Sequence, residues 1–335
     1  KENINNLILY FVLFFFVSIN IIYFYLNFIS LIEVENYTFY EPFINYQSGF
    51  IRRGLLGEIA WQLNNIFLVD PRHFFSVFFL SVYLLQFYLF YLLFRNYVKL
   101  KFIFLFLFLS PSLLLFHIYS PELYFLRDGL IKLIILLHAY IFYRFIIVDK
   151  DHEKYFYYLK FLIIPIIFLG VLIHEYQFFS ISIHFLISLG AFRKNVQVKK
   201  LIKIYAPLII SFILVIIFFG NIEQFENLSL ILQKFDIDLN PHLGGGFLKY
   251  LGAFYKWHFF YFGYRDFLNL FVSLILSFLV IYILFQYMIE NKILNLQSKF
   301  QRKYLIYFVP CFLPFFLTTD HGRNLSLLSF YLVSF

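Results

Sequence analysis

The chain has 335 residues, 62% of them hydrophobic and 25% aromatic, and only 14% charged. That much apolar surface excludes a water-soluble globular domain, and several runs approach the ~20 residues that cross a bilayer. The net charge of +8 is scattered over short loops rather than gathered in a basic patch, which excludes a nucleic-acid partner.

The apolar runs are continuous rather than alternating, so the spans are helices and not the strands of an outer-membrane barrel. The reading is all-α: a polytopic transmembrane helical bundle of about ten or more spans. Cys311 is the single cysteine, which rules out an intrachain disulfide and a thiolate metal cluster. Residues 1–335 read as one integral membrane domain, with no internal repeat and no low-complexity linker.

In chain order, the predicted spans fall at roughly 7–32, 73–94, 102–118, 129–148, 161–174, 175–191, 204–220, 267–289, 304–318 and from 325 onward. The first is too long and too weakly flanked for a cleaved signal peptide and reads as a retained span. The fifth and sixth are expected as two short helices meeting at His174-Glu175. One helix over 161–191 would need strong tilt and would carry that pair at its middle. Most Lys and Arg residues, among them Arg95, Lys150, Lys154, Lys160, Lys199 and Arg302, fall in one set of loops. The positive-inside rule puts those loops and the N-terminus in the cytoplasm.

That alternation carries the unusual polar stretches to the opposite, extracytoplasmic face. "EPFINYQSGFIRRGLLGE" follows span one, "SPELYFLRDG" follows span three, "HEYQ" separates spans five and six, and "TTDHGRN" follows span nine. The first outer loop, about 33–72, has Leu55, Leu56, Ile59, Leu63, Ile66 and Phe67 at helical spacing, with Glu58, Gln62 and Asn65 on another face. This predicts an amphipathic helix in the membrane plane, with Trp61 as interface anchor and Gly54 and Gly57 allowing close packing. The second long outer loop, about 221–264, is polar at its start and carries the flexible Gly244–Gly246. It is either a lid or an interfacial connector.

His174-Glu175 is the sharpest chemical signal. An ionisable pair at membrane depth is costly and marks a functional site by default, and histidine beside a carboxylate suits a general base. The alternative is a structural pair at a helix break. Arg52, Arg53 and Arg127 are suited to bidentate grip of phosphate oxygens, against the alternative of snorkelling to headgroups. Asp128 sits beside Arg127 and could equally cap span four. Asp320, His321 and Arg323 form a compact charged turn, and Glu41 offers a carboxylate base or a solvated loop acid. Lys132 and His138, inside span four, read as satisfied bundle residues. There is no HExxH, DxD or Cys–His pattern and no Walker sequence, so no metal, cofactor or direct ATP use is expected.

The series GFIRRGLLG, LRDG, HEYQFF and DHGRN on one outer face resembles the Wzy-type O-antigen and capsule repeat-unit polymerases of the bacterial cytoplasmic membrane. That resemblance implies a GT-C-like bundle whose outer-face cavity uses essential arginines. The implied partners are an undecaprenyl-diphosphate-linked oligosaccharide, membrane lipid and a chain-length-regulating membrane protein. By position on the outer face, Arg52, Arg53, Arg127 and Arg323 would take the diphosphate, with Asp128 and His321 beside them. His174 or Glu175 would be the base. The large late outer loop of that family is modest here. A close variant is a GT-C glycosyltransferase using a polyprenyl-phosphate sugar, with Glu41 or Asp320 as base. A lipid or glycan flippase is the alternative from another class; it predicts polar groups reaching the cytoplasmic half and an internal two-fold repeat.

Overall fold

The computed structural model describes most of residues 10–25, then 40–94, 125, 127–191, 196–235 and 237. Every regular element among the described residues is helical. Four helices, Pro71–Leu93, Asp128–Val148, His152–Ile173 and Lys199–Ile217, are long and apolar enough to cross a membrane, and Tyr176–Gly190 is a shorter apolar helix. The chain is therefore a helical membrane protein. The predicted spans at 102–118, 267–289, 304–318 and beyond 325 lie outside the described residues, as do Gly244–Gly246.

The first outer loop does contain a helix, α1 (Gly54–Phe67), and its glycines determine where it sits. A Cβ on Gly57 would overlap the Ile44 carbonyl oxygen, and one on Gly54 would overlap the Tyr46 ring. At Gly57, helix and preceding segment therefore meet backbone to backbone, a spacing only glycine permits. Glu58 ties the two together by accepting from the Tyr46 amide at 3.0 Å and the Gln47 side chain at 3.1 Å. Burial, and then the charge of Glu58, push the Tyr46 phenol up to about 12. Ile66, Phe67 and Leu68 stay exposed at the far end. Trp61 is not the expected membrane anchor. It is buried, with the Lys234 ammonium 3.8 Å from its ring centroid and Phe235 edge-on.

Helix α2 (Pro71–Phe94) lies against α3 (Asp128–Phe142). Gln86 of α2 donates to the Gly129 carbonyl at 2.7 Å, and a Cβ on Gly129 would already crowd Tyr83. Helix α3 runs on through a π-helical stretch, Tyr143–Val148. Two helical pieces, α4 (His152–Tyr158) and α5 (Ile164–Ile173), are joined by a second π-helical stretch, Leu159–Ile163. The expectation of two short helices is thus half right. The chain does break at His174, but the helix before it begins at His152, capped by the Asp151 side chain on the Lys154 amide. Lys154 and Lys160, expected in a loop, stand on that helix because capping and aliphatic stems carry the helix through them.

Beyond the break come α6 (Tyr176–Gly190), α7 (Val196–Tyr205) and α8 (Pro207–Ile217). Helix α6 packs on α3 and α5, and α8 packs on α5. The start of the second outer loop is also helical, as α9 (Ile222–Leu232), with a full capping box between Asn221 and Gln224. That N-x-x-Q signal is readable in the sequence and the polar start of the loop hid it.

Candidate functional site

Three short turns, rather than helix interiors, deliver the charged side chains to one place. Glu41 opens a 3-10 turn, Glu41–Phe43. The chain then reverses at Tyr46–Gly49, where Gly49 adopts φ +112°. A second turn, closed by the Gly54 amide on the Ile51 carbonyl, leaves Arg53 left-handed at φ 64°. A non-glycine residue held there is uncommon and strained, a condition found where the surroundings over-determine a side chain's direction.

Arg53 is over-determined in that way. Its Nε donates to Glu175 Oε2 at 2.7 Å and Oε1 at 2.9 Å, its Nη2 also meets Glu175, and its Nη1 pairs with Glu41. Arg52 Nη1 reaches the same Glu175 Oε1 at 2.8 Å. Two consecutive guanidinium groups thus converge on one carboxylate. The Arg52 guanidinium also lies 4.0 Å from the centroid of the Phe219 ring, a cation–π contact that seats it from behind. Both arginines are buried, so neither is snorkelling to solvent. Glu41 is buried too, not a solvated loop acid.

Arg127 has a different job from its two neighbours. Its Nη1 donates to the carbonyls of Arg53 (3.1 Å) and Ile173 (2.8 Å), and its Nη2 to that of Glu41 (2.7 Å). One side chain therefore pins three segments. It is 1% exposed, and its Nη2 lies 3.6 Å from Glu41 Oε1.

His174 terminates α5 in an extended conformation, φ −156°, ψ 116°. Its Nε2 is 3.4 Å from Asp128 Oδ1, and its Nδ1 is 3.4 Å from Glu175 Oε2. A neutral imidazole donates through only one nitrogen, whereas the protonated ring donates through both. Two facing carboxylates therefore suit the imidazolium form. Neither nitrogen points away from a carboxylate to receive a proton from a hydroxyl. Asp128, rather than capping α3 through its side chain, faces this ring. Lys132 is buried one turn further along α3. At Glu175, burial opposes ionisation, but the charges of Arg53 and then Arg52 outweigh it. The carboxyl is held well below the usual range.

The structure thus brings together Glu41, Arg52, Arg53, Arg127, Asp128, His174 and Glu175. Asp320, His321 and Arg323 lie outside the described residues. Among the described residues, no group of three or more His, Cys, Asp or Glu is placed to hold a metal ion.

A second polar assembly lies deeper in the bundle, and only His138 of it drew notice in the sequence. Gln177 Nε2 donates to Ser180 Oγ at 2.6 Å and lies 3.3 Å from His184 Nε2. The Nδ1 atoms of His184 and His138 are 2.9 Å apart, and His138 Nε2 is 2.9 Å from the Tyr155 hydroxyl. Tyr155 donates to Ser188 Oγ at 3.0 Å, Ser188 meets the Tyr205 hydroxyl at 2.9 Å, and Tyr205 donates to the His184 carbonyl at 2.8 Å. All of these side chains are buried. One proton assignment lets each group donate to the next from Gln177 to Tyr205, while Gln177 Oε1 is buried without a hydrogen-bond partner among the described residues. Roughly 27 Å of helix separates Tyr155 from Ile173, so this assembly reaches the end of the bundle opposite the charged cluster.

No family model, no curated protein and no solved structure matches the chain.

Proposed function

We propose that the protein is a membrane-embedded glycosyltransferase that polymerises undecaprenyl-diphosphate-linked oligosaccharide repeat units at the outer face of the bacterial cytoplasmic membrane. The reading includes a GT-C-like bundle of ten or more spans and a cytoplasmic N-terminus. The observation that carries it is the convergence of Arg52 and Arg53 on a single anionic group at the mouth of a buried ionic cluster. Paired guanidinium groups match the oxygens of a phosphate as they match a carboxylate.

In this reaction the acceptor hydroxyl oxygen bonds to the donor's anomeric carbon as the bond from that carbon to the diphosphate oxygen breaks. The lipid diphosphate leaves with the electron pair, and the arginines offset its developing charge. The hydroxyl proton passes to a carboxylate. Of the two bases expected from the sequence, His174 is confined between Asp128 and Glu175, so the role falls to Glu175. Attack opposite the leaving group inverts the anomeric centre.

The test is to incubate purified protein in lipid nanodiscs with a polyprenyl-diphosphate-linked oligosaccharide and follow product length. Longer glycans are expected from the wild type. Arg53→Lys should lose most of this activity, because an ammonium cannot reproduce the fork; wild-type rates in that variant would overturn the assignment.

One observation favours a second reading, a flippase. The His138–His184–Tyr155–Ser188–Tyr205 assembly carries polar groups to the end opposite the cluster, which a one-sided enzyme does not require. Movement of labelled lipid-linked glycan between leaflets, with no lengthening, would decide for transport.

A further inference from the structure

We infer that Glu175 is a built-in placeholder, occupying the arginine seat that a phosphate or diphosphate headgroup takes over, and that its displacement frees it to act on substrate. The inference rests on the glycosyltransferase reading for the second half of that statement, and on geometry alone for the first.

Within the cluster, Glu175 is the group closest to the outside. Its side chain is 13% exposed, against 2% for Arg52, 8% for Arg53, 3% for Glu41 and 1% for Arg127. Its backbone carbonyl accepts from the Phe178 amide at 2.9 Å, so the main chain stays anchored whichever way the side chain turns. It lies at the break between α5 and α6 and caps no helix amide. A side-chain rotation would release it without unwinding either helix. The arginines, by contrast, are fixed. Arg53 keeps Glu41 as a second carboxylate partner, its carbonyl is held by Arg127, and Arg52 rests on Phe219. When Glu175 leaves, the seat stays in place.

The charges favour the exchange. With Glu175 removed, the described carboxylates left in the cluster are Glu41 and Asp128, outnumbered by the guanidinium groups of Arg52, Arg53 and Arg127. A phosphate offers more acceptor oxygens and at least as much negative charge as the carboxylate it replaces. Once released, Glu175 no longer touches the two cations that hold its carboxyl acidic, and it regains proton affinity beside the reacting centre. Ligand binding and base activation are thereby one event.

The experiment measures binding of a fluorescent polyprenyl diphosphate, and separately of inorganic pyrophosphate, to the full chain in phosphatidylcholine nanodiscs. Glu175→Gln should bind about tenfold more tightly than wild type, equivalent to about 1.4 kcal/mol, and Arg53→Gln should lose binding. Competition by pyrophosphate would place recognition in the headgroup alone. Binding of the lipid without such competition would add the tail, and both support the seat. Displacement by phosphatidylglycerol at bilayer concentrations, or no binding of either probe, overturns it, as does equal or weaker binding by a folded Glu175→Gln. Should that variant fail to fold, carbodiimide labelling of Glu175 in the wild type answers instead. Labelling rises on adding the lipid diphosphate if Glu175 is displaced, and unchanged labelling sinks the proposal. Tight binding by Glu175→Gln without any glycan lengthening by wild type would keep the seat and remove the polymerase. Lengthening with no gain in binding would do the reverse.

Discussion

Arg53 joins Glu41 to Glu175, residues 134 positions apart, through a single guanidinium. Buried pairs of this kind are weak net stabilisers, because each ion has given up its hydration, but removing one partner costs about 3–5 kcal/mol. The pH dependence follows from Glu175. Its folded-state pKa is depressed, with burial opposing and Arg53 and Arg52 overcoming it. Its stabilising contribution is therefore complete above the ordinary glutamate pKa of about 4.3 and is lost as pH falls through the lower, folded-state value. Thermal unfolding in detergent should be flat on this account from neutral pH down to about pH 5 and should fall below about pH 4. In a folded Glu175→Gln variant that acid-side drop should shrink; an unchanged drop would assign it to other carboxylates.

Among the elements, α1 is the one whose placement decides the site. Its N-terminal turn emerges directly from Arg52-Arg53, and Gly57 sets how closely it lies on the segment that carries Glu41. Gly57→Ala puts a methyl group into the Ile44 and Pro42 carbonyls, which are backbone atoms and cannot rotate away. A loss of about 2–3 kcal/mol is expected, together with weakened donor binding, because Glu41 and Arg53 move with the segment. Gly54→Ala meets a ring rather than backbone and should be milder on both counts; the reverse order in a thermal-unfolding series would contradict this placement. The break between α5 and α6 is the other decisive element. It lets His174 and Glu175 point away from helix geometry toward Asp128 and the arginines.

At the scale of the whole bundle, the described helices carry an ionic cluster at one end and a network of imidazole and hydroxyl groups toward the other. On the orientation expected from the positive-inside rule, the charged end would face away from the cytoplasm. In a Cys311→Ser background, a membrane-impermeant maleimide should label Gln47→Cys in intact cells, and Lys154→Cys only after permeabilisation. The opposite pattern would place the cluster in the cytoplasm and end the extracytoplasmic reading.

The sequence by itself determined that the chain is a helical membrane protein, that it breaks at His174-Glu175, and that a glycine-bearing helix follows Arg52-Arg53. Each of these is local: run length, a pair of ionisable groups interrupting an apolar stretch, and residue spacing over a few turns. Trp61 was misread for the same reason, since aromatic character is local and its partner Lys234 is not. Only the tertiary structure decided that Glu175 occupies the arginine fork, that Arg127 holds three carbonyls instead of joining that fork, and that His184 meets His138. Those pairings join residues 46 to 123 positions apart. They arise because the low-dielectric interior of the bundle leaves a charged or polar group no partner but another such group that folding brings within reach.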